Sequence, residues 1–375
     1  MRKILLRVVG LVFISLLLTS CSGAAPPIAT SAPPIPPTST RPAPTASLTF
    51  TATVVPPPTS TPELLPISAD ATTYLNVALD IMQNNSLHRE SIDWDALRKS
   101  TFEVAKYAQT PADTYGAIRF ALVRLGDHHS SFYTPNEFEQ TAEMTAGDNP
   151  APRGKLLLGK IGFVAIEGFQ GFDRDTYATN AQQLIREIDS QNPCGWIVDL
   201  REDTGGSMWP MLAGIGPILG EGDVGAFVDS YGHKEVFSYR DGQALLDGQA
   251  IAQVSGQAYT LKVSSPPVAV LTGVNTASAG EAIVVSFRGR PNTRSFGLYT
   301  TGLPTANSGF PLSDGALIIL TTAFGADRTG QVYADRIYPD ELVEDVREYT
   351  VLMEEAIPQP AIDWLMSQPA CSAQN

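Results

Sequence analysis

Two turns of the sequence carry residue types suited to acyl transfer. One is the segment 199–206 (DLREDTGG), which follows an apolar run and ends in two glycines. The other is the segment 276–281 (TASAGE), in which Ser278 stands among small residues where a helix is predicted to begin. A serine at such a position is most often only a helix cap, but it is also well placed to act as a nucleophile. Ser278 is therefore the candidate nucleophile.

The same two turns offer hydrogen-bond donors for a negatively charged oxygen. Paired glycines leave the backbone free to turn its N–H groups outward, and the first N–H groups of a helix have no acceptor within that helix. Such donors stabilise the oxyanion that forms when a nucleophile attacks an acyl carbonyl. We expect Gly205, Gly206 and Ala279 to supply them.

Taken together and in this order, the two strings resemble those of the tail-specific, or C-terminal processing, serine peptidases. In that family the strand ending in Asp-Leu-Arg and its Gly-Gly turn supply an oxyanion donor, and the later string carries the nucleophile, here at Ser278. The resemblance covers roughly residues 70–345. It implies a ClpP/crotonase-like α/β core, and peptides or unfolded protein at the cell envelope as substrates. Neither a metal nor an organic cofactor is implied.

The general base departs from the best-known branch of this family, which uses a lysine downstream of the serine. The equivalent stretch, residues 296–303 (FGLYTTGL), contains no lysine, and none follows Lys262. Residues 125–130 (LGDHHS) instead resemble the string that carries a histidine base in the branch of the tricorn core domains and retinoid-binding-protein repeats. That resemblance implies His129 as the base, with His128 on the variable position. The alternative is a histidine that only bridges structure after a helix.

A histidine base works best when an acceptor holds its second ring nitrogen. In tricorn-like members this acceptor is a glutamate shortly before a string ending in Pro-Asp. Residues 337–340 (IYPD) keep that ending, but Tyr333 stands in the place of the glutamate. Asp335 lies close to it, and Glu281 lies near the serine, so both remain candidates for the orienting acid.

The elements that must position these residues follow an α/β pattern. Short apolar strands alternate with helices, with strands expected at 161–166, 196–200 and 268–271, and helices at 177–189, 208–219 and about 278–287. Other expectations are helices within 70–125, a loop at 140–154, an inserted hairpin within 225–262 and a closing helix within 351–366. The short stretch from Pro135 to Gly159 leaves no room for a PDZ module.

The N-terminal residues predict export and anchoring. Three basic residues precede an apolar run at 11–18, which is the layout of a secretory signal too short to span a membrane. Small residues before Cys21 resemble the bacterial lipobox, which implies cleavage after residue 20 and a lipid anchor holding Cys21 to the membrane of the cell envelope. The alternative is an ordinary signal peptide that contains a cysteine.

Composition divides the rest of the chain. Residues 21–66 are rich in proline, threonine and serine, which predicts a disordered linker. The predicted units are therefore a signal peptide at 1–20, this linker, a helical subdomain at 67–140, a peptidase-like α/β core at 155–350, and a helix and tail at 351–375.

Charge and cysteines limit the partners. The chain has 25 basic and 39 acidic residues and a net charge of −14, which argues against nucleic acid as a partner.

Besides Cys21, Cys194 and Cys371 remain in an oxidising compartment. They either pair, which would tie the tail to the central sheet, or stay as two thiols. Without clustered histidines they do not suggest a zinc site.

These observations predict a serine peptidase in which His129 accepts the Ser278 proton and Ser278 forms an acyl-enzyme. A catalytically idle module that binds an apolar ligand or a peptide is an alternative, because the retinoid-binding repeats share the fold. An esterase or amidase acting on small molecules would need the same residues.

Overall fold

In a computed structural model, the structure of the protein describes residues 65–145, 151–353 and 355–373. The predicted signal peptide, the lipid attachment at Cys21 and all but the last residues of the predicted linker lie outside the described residues. Within the described ranges, no helix is long and apolar enough to cross a membrane.

The described residues form nine α-helices and sixteen β-strands. The helices are α1 (Ala69–Asn85), α2 (Trp94–Val104), α3 (Tyr115–Leu125), α4 (Pro135–Thr145), α5 (Arg174–Asp189), α6 (Met208–Leu219), α7 (Ala279–Phe287), α8 (Gln359–Ser367) and α9 (Pro369–Ser372). The strands are β1 (Ser131–Tyr133), β2 (Arg153–Leu157), β3 (Ile161–Ala165), β4 (Gly195–Asp199), β5 (Gly222–Asp229), β6 (Lys234–Arg240), β7 (Gln243–Leu246), β8 (Gln249–Gln253), β9 (Val268–Thr272), β10 (Thr293–Gly297), β11 (Thr305–Pro311), β12 (Leu317–Asp327), β13 (Val332–Tyr333), β14 (Glu341–Leu342), β15 (Tyr349–Leu352) and β16 (Glu355–Pro358).

Helices α1, α2 and α3 form an N-terminal layer. The side chains of Ser68 and Asp93 accept hydrogen bonds from N–H groups in the first turns of α1 and α2, which caps both helices. Gly126 ends α3 in the left-handed conformation, with φ 77°. The buried face of this layer packs on β12, where Ile318 and Leu320 belong to the same apolar cluster. Helix α3 therefore leads directly into the segment that carries the candidate base.

Between α3 and β2 the described residues form only β1 and α4, so this part of the chain contains no PDZ module. Helix α4 extends to Thr145, and the loop expected at 140–154 therefore begins later than predicted.

The first sheet has the order β14-β10-β9-β4-β3-β2. Its neighbouring strands run parallel, except that β2 and β3 are antiparallel. Strands β3, β4 and β9 are buried along their whole length, as expected for parallel strands covered on both faces. Helices α5, α6 and α7 pack on one face, and α8 packs on the other. This is the mixed α/β core that the sequence predicts.

The second sheet has the order β1-β12-β5-β6-β7-β8, and β11 and β13 also pair with β12. The prediction of an inserted hairpin within 225–262 is wrong. Strands β5 to β8 instead form one continuous antiparallel meander that belongs to this sheet. Two tight turns account for it. Asp241-Gly242 and Asp247-Gly248 all have positive φ, which is typical of two-residue hairpin turns.

The closing helix predicted within 351–366 is also only partly present. Strands β15 and β16 form an antiparallel hairpin, and α8 begins at Gln359. Pro358 and Pro360 explain this boundary, because proline disrupts a helix interior but fits its first turn. Cys371 in α9 forms a disulfide with Cys194 next to β4. Of the two alternatives for these cysteines, the structure has the pair, and the tail is tied to the central sheet.

Candidate active site

The two glycine- and serine-containing turns meet at one edge of the first sheet. Each follows a strand of the adjacent parallel pair β4 and β9, whose carboxyl ends share that edge. Ala277 N–H donates to the Asp203 carbonyl at 2.9 Å. Gly205 has φ 102°, and a Cβ at this position would lie 2.9 Å from the Cβ of Ser278. The backbone of the Gly-Gly turn therefore lies directly against the candidate nucleophile.

Ser278 adopts an unusual conformation immediately before α7, with φ 53° and ψ −113°. Positive φ is uncommon for a residue with a side chain, and such strain recurs at functional sites. The residue is only 3% exposed, and its Oγ has no hydrogen-bond partner among the described residues. Ser278 and Glu281 have the arrangement of a capping box at the start of α7, but the serine hydroxyl itself makes no hydrogen bond of ordinary geometry there.

Glu281 organises the backbone around the serine. Its Oε2 accepts Ser278 N–H at 2.9 Å and Leu303 N–H at 2.7 Å, while Oε1 accepts Thr300 Oγ1–H at 2.5 Å and Gly302 N–H at 2.9 Å. Burial raises the pKa of Glu281, and these four hydrogen bonds act in the opposite direction. These four hydrogen bonds join the serine turn to residues 300–303, and none of them reaches the candidate base.

His129 lies in the segment between α3 and β1. Its backbone N–H donates to Asp127 Oδ1 at 2.9 Å, and its carbonyl accepts from Asn307 Nδ2 at 3.3 Å. The ring Nδ1 lies 2.7 Å from Thr305 Oγ1. Burial lowers the pKa of His129 to about 4, although the negative charge of Asp127 acts to raise it. Neighbouring His128 is exposed.

Among the described residues, no hydrogen bond joins the His129 ring to either acid considered from the sequence. Asp335 Oδ1 accepts the backbone N–H of Arg336 at 2.7 Å, and Glu281 is engaged as described. The hydroxyl of Tyr333 donates to Asp327 Oδ2 at 2.8 Å. The group against Nδ1 is Thr305, which sequence reasoning missed because a hydroxyl 176 residues away from the histidine has no motif of its own.

The structure links the serine and the histidine indirectly. Glu281 binds the backbone of Ser278 and Leu303, the Leu303 carbonyl accepts Thr305 N–H at 2.7 Å, and Thr305 contacts His129. In the part of the chain that the structure describes, no hydrogen bond joins the His129 ring to Ser278 Oγ. The two groups are thus held by one connected network rather than by a direct contact.

The three candidate oxyanion donors differ in their surroundings. Gly205 N–H donates to Asp203 Oδ1 at 3.0 Å, so it is already engaged. Gly206 forms a parallel bridge with Phe169 that uses the Gly205 carbonyl and the Ser207 N–H, and not the N–H of Gly206 itself. Ala279 is the first residue of α7, where an N–H has no acceptor within the helix.

Asp203 is a further polar residue of the site that sequence reasoning did not single out. It is fully buried, and a Cβ on Gly280 would lie 2.8 Å from its carboxyl carbon. Its Oδ2 has no partner among the residues described. Burial raises the pKa of Asp203 well above its ordinary value, while the hydrogen bond from Gly205 N–H lowers it. A buried carboxyl whose protonated form is favoured by burial therefore lies between the Gly-Gly turn and α7.

The buried serine at a helix N-terminus, the Gly-Gly turn against it and the histidine on the adjoining network form the candidate site on the α/β core. Residues 160–343 match the family model of Peptidase family S41. This match, over about half of the chain, confirms the resemblance to the tail-specific peptidases.

The chain is also similar to individual proteins. The chain is 29% identical over 296 residues to the nisin-resistance protein of Lactococcus lactis subsp. lactis, covering 79% of this chain and 87% of that protein. A solved lipoprotein from Streptococcus agalactiae matches with a TM-score of 0.65 and 25% identity, covering 81% of this chain and 99% of that one. The photosystem II D1 C-terminal processing protease matches with a TM-score of 0.55 and 17% identity over 74% of this chain and 93% of that one, which shows a shared fold.

Proposed function

We propose that this protein is an exported, lipid-anchored serine peptidase that hydrolyses peptide bonds through an acyl-enzyme on Ser278. The observation that carries the proposal is the state of Ser278. Its backbone is strained, and its buried hydroxyl has no partner among the described residues, beside the first N–H groups of α7. The match of residues 160–343 to the model of Peptidase family S41 supports the hydrolysis of peptides.

The general base in this proposal is His129. Because Nδ1 is held by Thr305, Nε2 is the ring nitrogen available to accept the Ser278 proton and then to protonate the leaving amine. The missing hydrogen bond between His129 and Ser278 then forms when a substrate closes the site, as catalytic hydrogen bonds often tighten only in the complex.

The oxyanion contacts in this proposal come from Ala279 and Gly206. The N–H of Gly205 already donates to the Asp203 carboxyl, so this residue contributes the close backbone approach and Asp203 holds its turn. One oxyanion donor typically contributes about 10²- to 10³-fold to kcat.

Location and substrate are inferred from the N-terminal sequence and from relatives. The lipobox-like Cys21 and the lipoprotein from Streptococcus agalactiae support an anchor at the cell envelope. The relative from Lactococcus is named for nisin resistance, which makes nisin the first peptide to test as a substrate.

A fluorophosphonate probe tests the nucleophile. The full-length protein in detergent is treated with the probe, and the adduct is located by mass spectrometry. We expect labelling at Ser278 that is lost in Ser278→Ala and His129→Gln. Ser286→Ala is the matched control, because Ser286 is a buried serine of the same helix whose hydroxyl donates to the Ala282 carbonyl. Unlabelled wild type, or labelling that survives Ser278→Ala, would overturn the proposal.

A binding module without catalytic activity is the second candidate, favoured by the missing contact between the histidine ring and Ser278 Oγ. It predicts that nisin or an unfolded protein binds in calorimetry but stays intact in mass spectrometry after long incubation. Cleavage that requires Ser278 would exclude it.

A further inference from the structure

The hydroxyl of Thr305 is the one side-chain group in contact with the His129 ring among the hydrogen bonds of the described residues, at 2.7 Å from Nδ1. Thr305 begins β11, and the pairing of β11 with β12 shifts register between Ala306 and Asn307. Such a bulge redirects side chains locally. Here both Thr305 and Asn307 reach the same histidine, one at its ring and the other at its carbonyl.

The position of Thr305 is itself constrained. Its N–H donates to the Leu303 carbonyl at 2.7 Å, and Leu303 N–H is bound by Glu281, the carboxylate that also binds Ser278 N–H. The buried carboxylate of Glu281 therefore holds the Ser278 backbone directly and Thr305 through Leu303. A displacement of β11 would move the ring relative to the nucleophile.

A threonine hydroxyl differs from a carboxylate as a partner for imidazole. Both can accept the Nδ1 proton and leave Nε2 with its lone pair. A hydroxyl adds no negative charge, however, and does not favour the protonated ring. Asp127, in the same loop, is the charged group that acts on the ring. The nearby side chains of β11 and β12 are uncharged: Asn307 donates to the His129 carbonyl, and Thr321 donates to Asn307.

We propose that Thr305 is the positioning residue of the base: its hydroxyl accepts the Nδ1 proton of His129 and so presents an unprotonated Nε2 to Ser278. This inference rests on the proposed function and assigns the orienting role to a neutral hydroxyl, where the sequence suggested an acid. Thr305 acts only through His129 and contacts no substrate in this assignment.

The tautomer of His129 can be measured without any activity. The chain has only four histidines, so two-bond ¹⁵N–¹H spectra of the full-length Ser278→Ala protein are simple, and the His129 signals are identified by their loss in His129→Gln. We expect the tautomer with the proton on Nδ1. Thr305→Val should give a mixture, and Thr305→Ser should restore the single tautomer. A proton on Nε2 in the parent protein, or a tautomer unchanged by Thr305→Val, would overturn the proposal.

Kinetics supply the second readout. Since general-base catalysis contributes about 10²- to 10⁴-fold, partial loss of orientation in Thr305→Val should lower kcat or the labelling rate about 10- to 100-fold, with little change in KM. Thr305→Ser should recover most of the rate. Thr322→Val is the matched control, because the Thr322 hydroxyl bonds Ser308 and the Ala306 carbonyl of the same strand β11 and not the histidine. Thr305→Asp should shift the acid limb of the pH profile upward, since a carboxylate favours the protonated ring.

The outcomes separate this inference from the proposed function. If the wild type is never labelled, the peptidase proposal fails, and the tautomer measurement still decides the role of Thr305. If the wild type is labelled and Thr305→Val is labelled at the same rate, the positioning role is refuted and the peptidase proposal stands. If circular dichroism shows that Thr305→Val does not fold, Thr305→Ser and Thr305→Asp are compared instead. The positioning role then requires that Thr305→Ser keeps most of the rate and that Thr305→Asp shifts the acid limb of the pH profile upward.

Discussion

Replacing Asp203 by asparagine should change how the stability of the protein depends on pH. Asp203 is fully buried, its Oδ1 accepts Gly205 N–H, and its Oδ2 has no partner within the described residues. Burial raises the pKa of this carboxyl, so the folded state favours the protonated acid. Its contribution to stability is therefore complete below the unfolded pKa, about 3.9, and is lost as the pH rises toward the folded pKa.

The size of the effect follows from proton linkage. Between the two pKa values the folded chain binds one proton more than the unfolded chain, so the free energy of unfolding falls by about 1.4 kcal/mol per pH unit. Over the interval from pH 5 to pH 7 this loss reaches up to about 2.7 kcal/mol. Asparagine keeps a carbonyl oxygen for Gly205 N–H but does not titrate, so the Asp203→Asn variant should lack this slope.

Urea unfolding of the full-length wild type and Asp203→Asn at pH 5 and pH 7 measures the difference. The variant should gain stability relative to the wild type by up to about 2.7 kcal/mol on going to pH 7. Asp314→Asn is the control: burial raises the pKa of Asp314, but hydrogen bonds from Tyr115, Tyr74 and the backbone outweigh it, and the net pKa is lowered. Because that titration lies below pH 5, Asp314→Asn should parallel the wild type. Parallel curves for the wild type and Asp203→Asn would refute the reasoning.

Further predictions concern the base, the Gly-Gly turn and the disulfide. A base acts only when neutral, and the pKa of His129 is lowered to about 4. The probe-labelling rate should therefore fall on the acid side near pH 4. A fall in the rate near pH 6.5, the ordinary histidine value, with circular dichroism unchanged, would contradict the burial of the ring. Gly205→Ala should abolish labelling, because its Cβ would lie 2.9 Å from that of Ser278. The control is Gly248→Ala, where φ is 77° and the space around the residue is open. This variant should keep labelling and lose only about 1–2 kcal/mol of stability through backbone strain. If both variants behave alike, the close approach at Gly205 is not what matters. Cys194→Ser should lower the free energy of unfolding by about 2–5 kcal/mol. Reductant should lower the Tm of the wild type but not that of Cys194→Ser. A wild-type Tm unaffected by reductant would count against the disulfide.

Much of the core follows from local sequence. Helix α6 has the predicted bounds, and β3, β4 and β9 differ from their predicted bounds by at most one residue at either end, because each is an apolar run bounded by turn residues. The C-terminal region was predicted less well. Residues 349–358 carry apolar side chains that suit either a helix or a strand, and only pairing within the hairpin β15–β16 decides between them.

The site was predictable only where a short string carried it. The meeting of the Gly-Gly turn with Ser278 followed from two strings after neighbouring strands. The contact of Thr305 with His129 could not be predicted, since it depends on the register of β11 against β12. Asp203 was overlooked because an acid within a turn suggests solvent, whereas this one is covered by α7.

The disulfide between Cys194 and Cys371 closes a covalent loop that contains only part of the candidate site. The loop it closes contains the Gly-Gly turn, Ser278 and Thr305, whereas His129 lies outside that loop. The proposed base is therefore attached to the enclosed half by the pairing of β1 with β12 and by the packing of α1 to α3. Partial opening of the N-terminal layer would remove His129 from the site while Ser278 and its surroundings stay folded. Loss of probe labelling should then occur at a lower denaturant concentration than global unfolding.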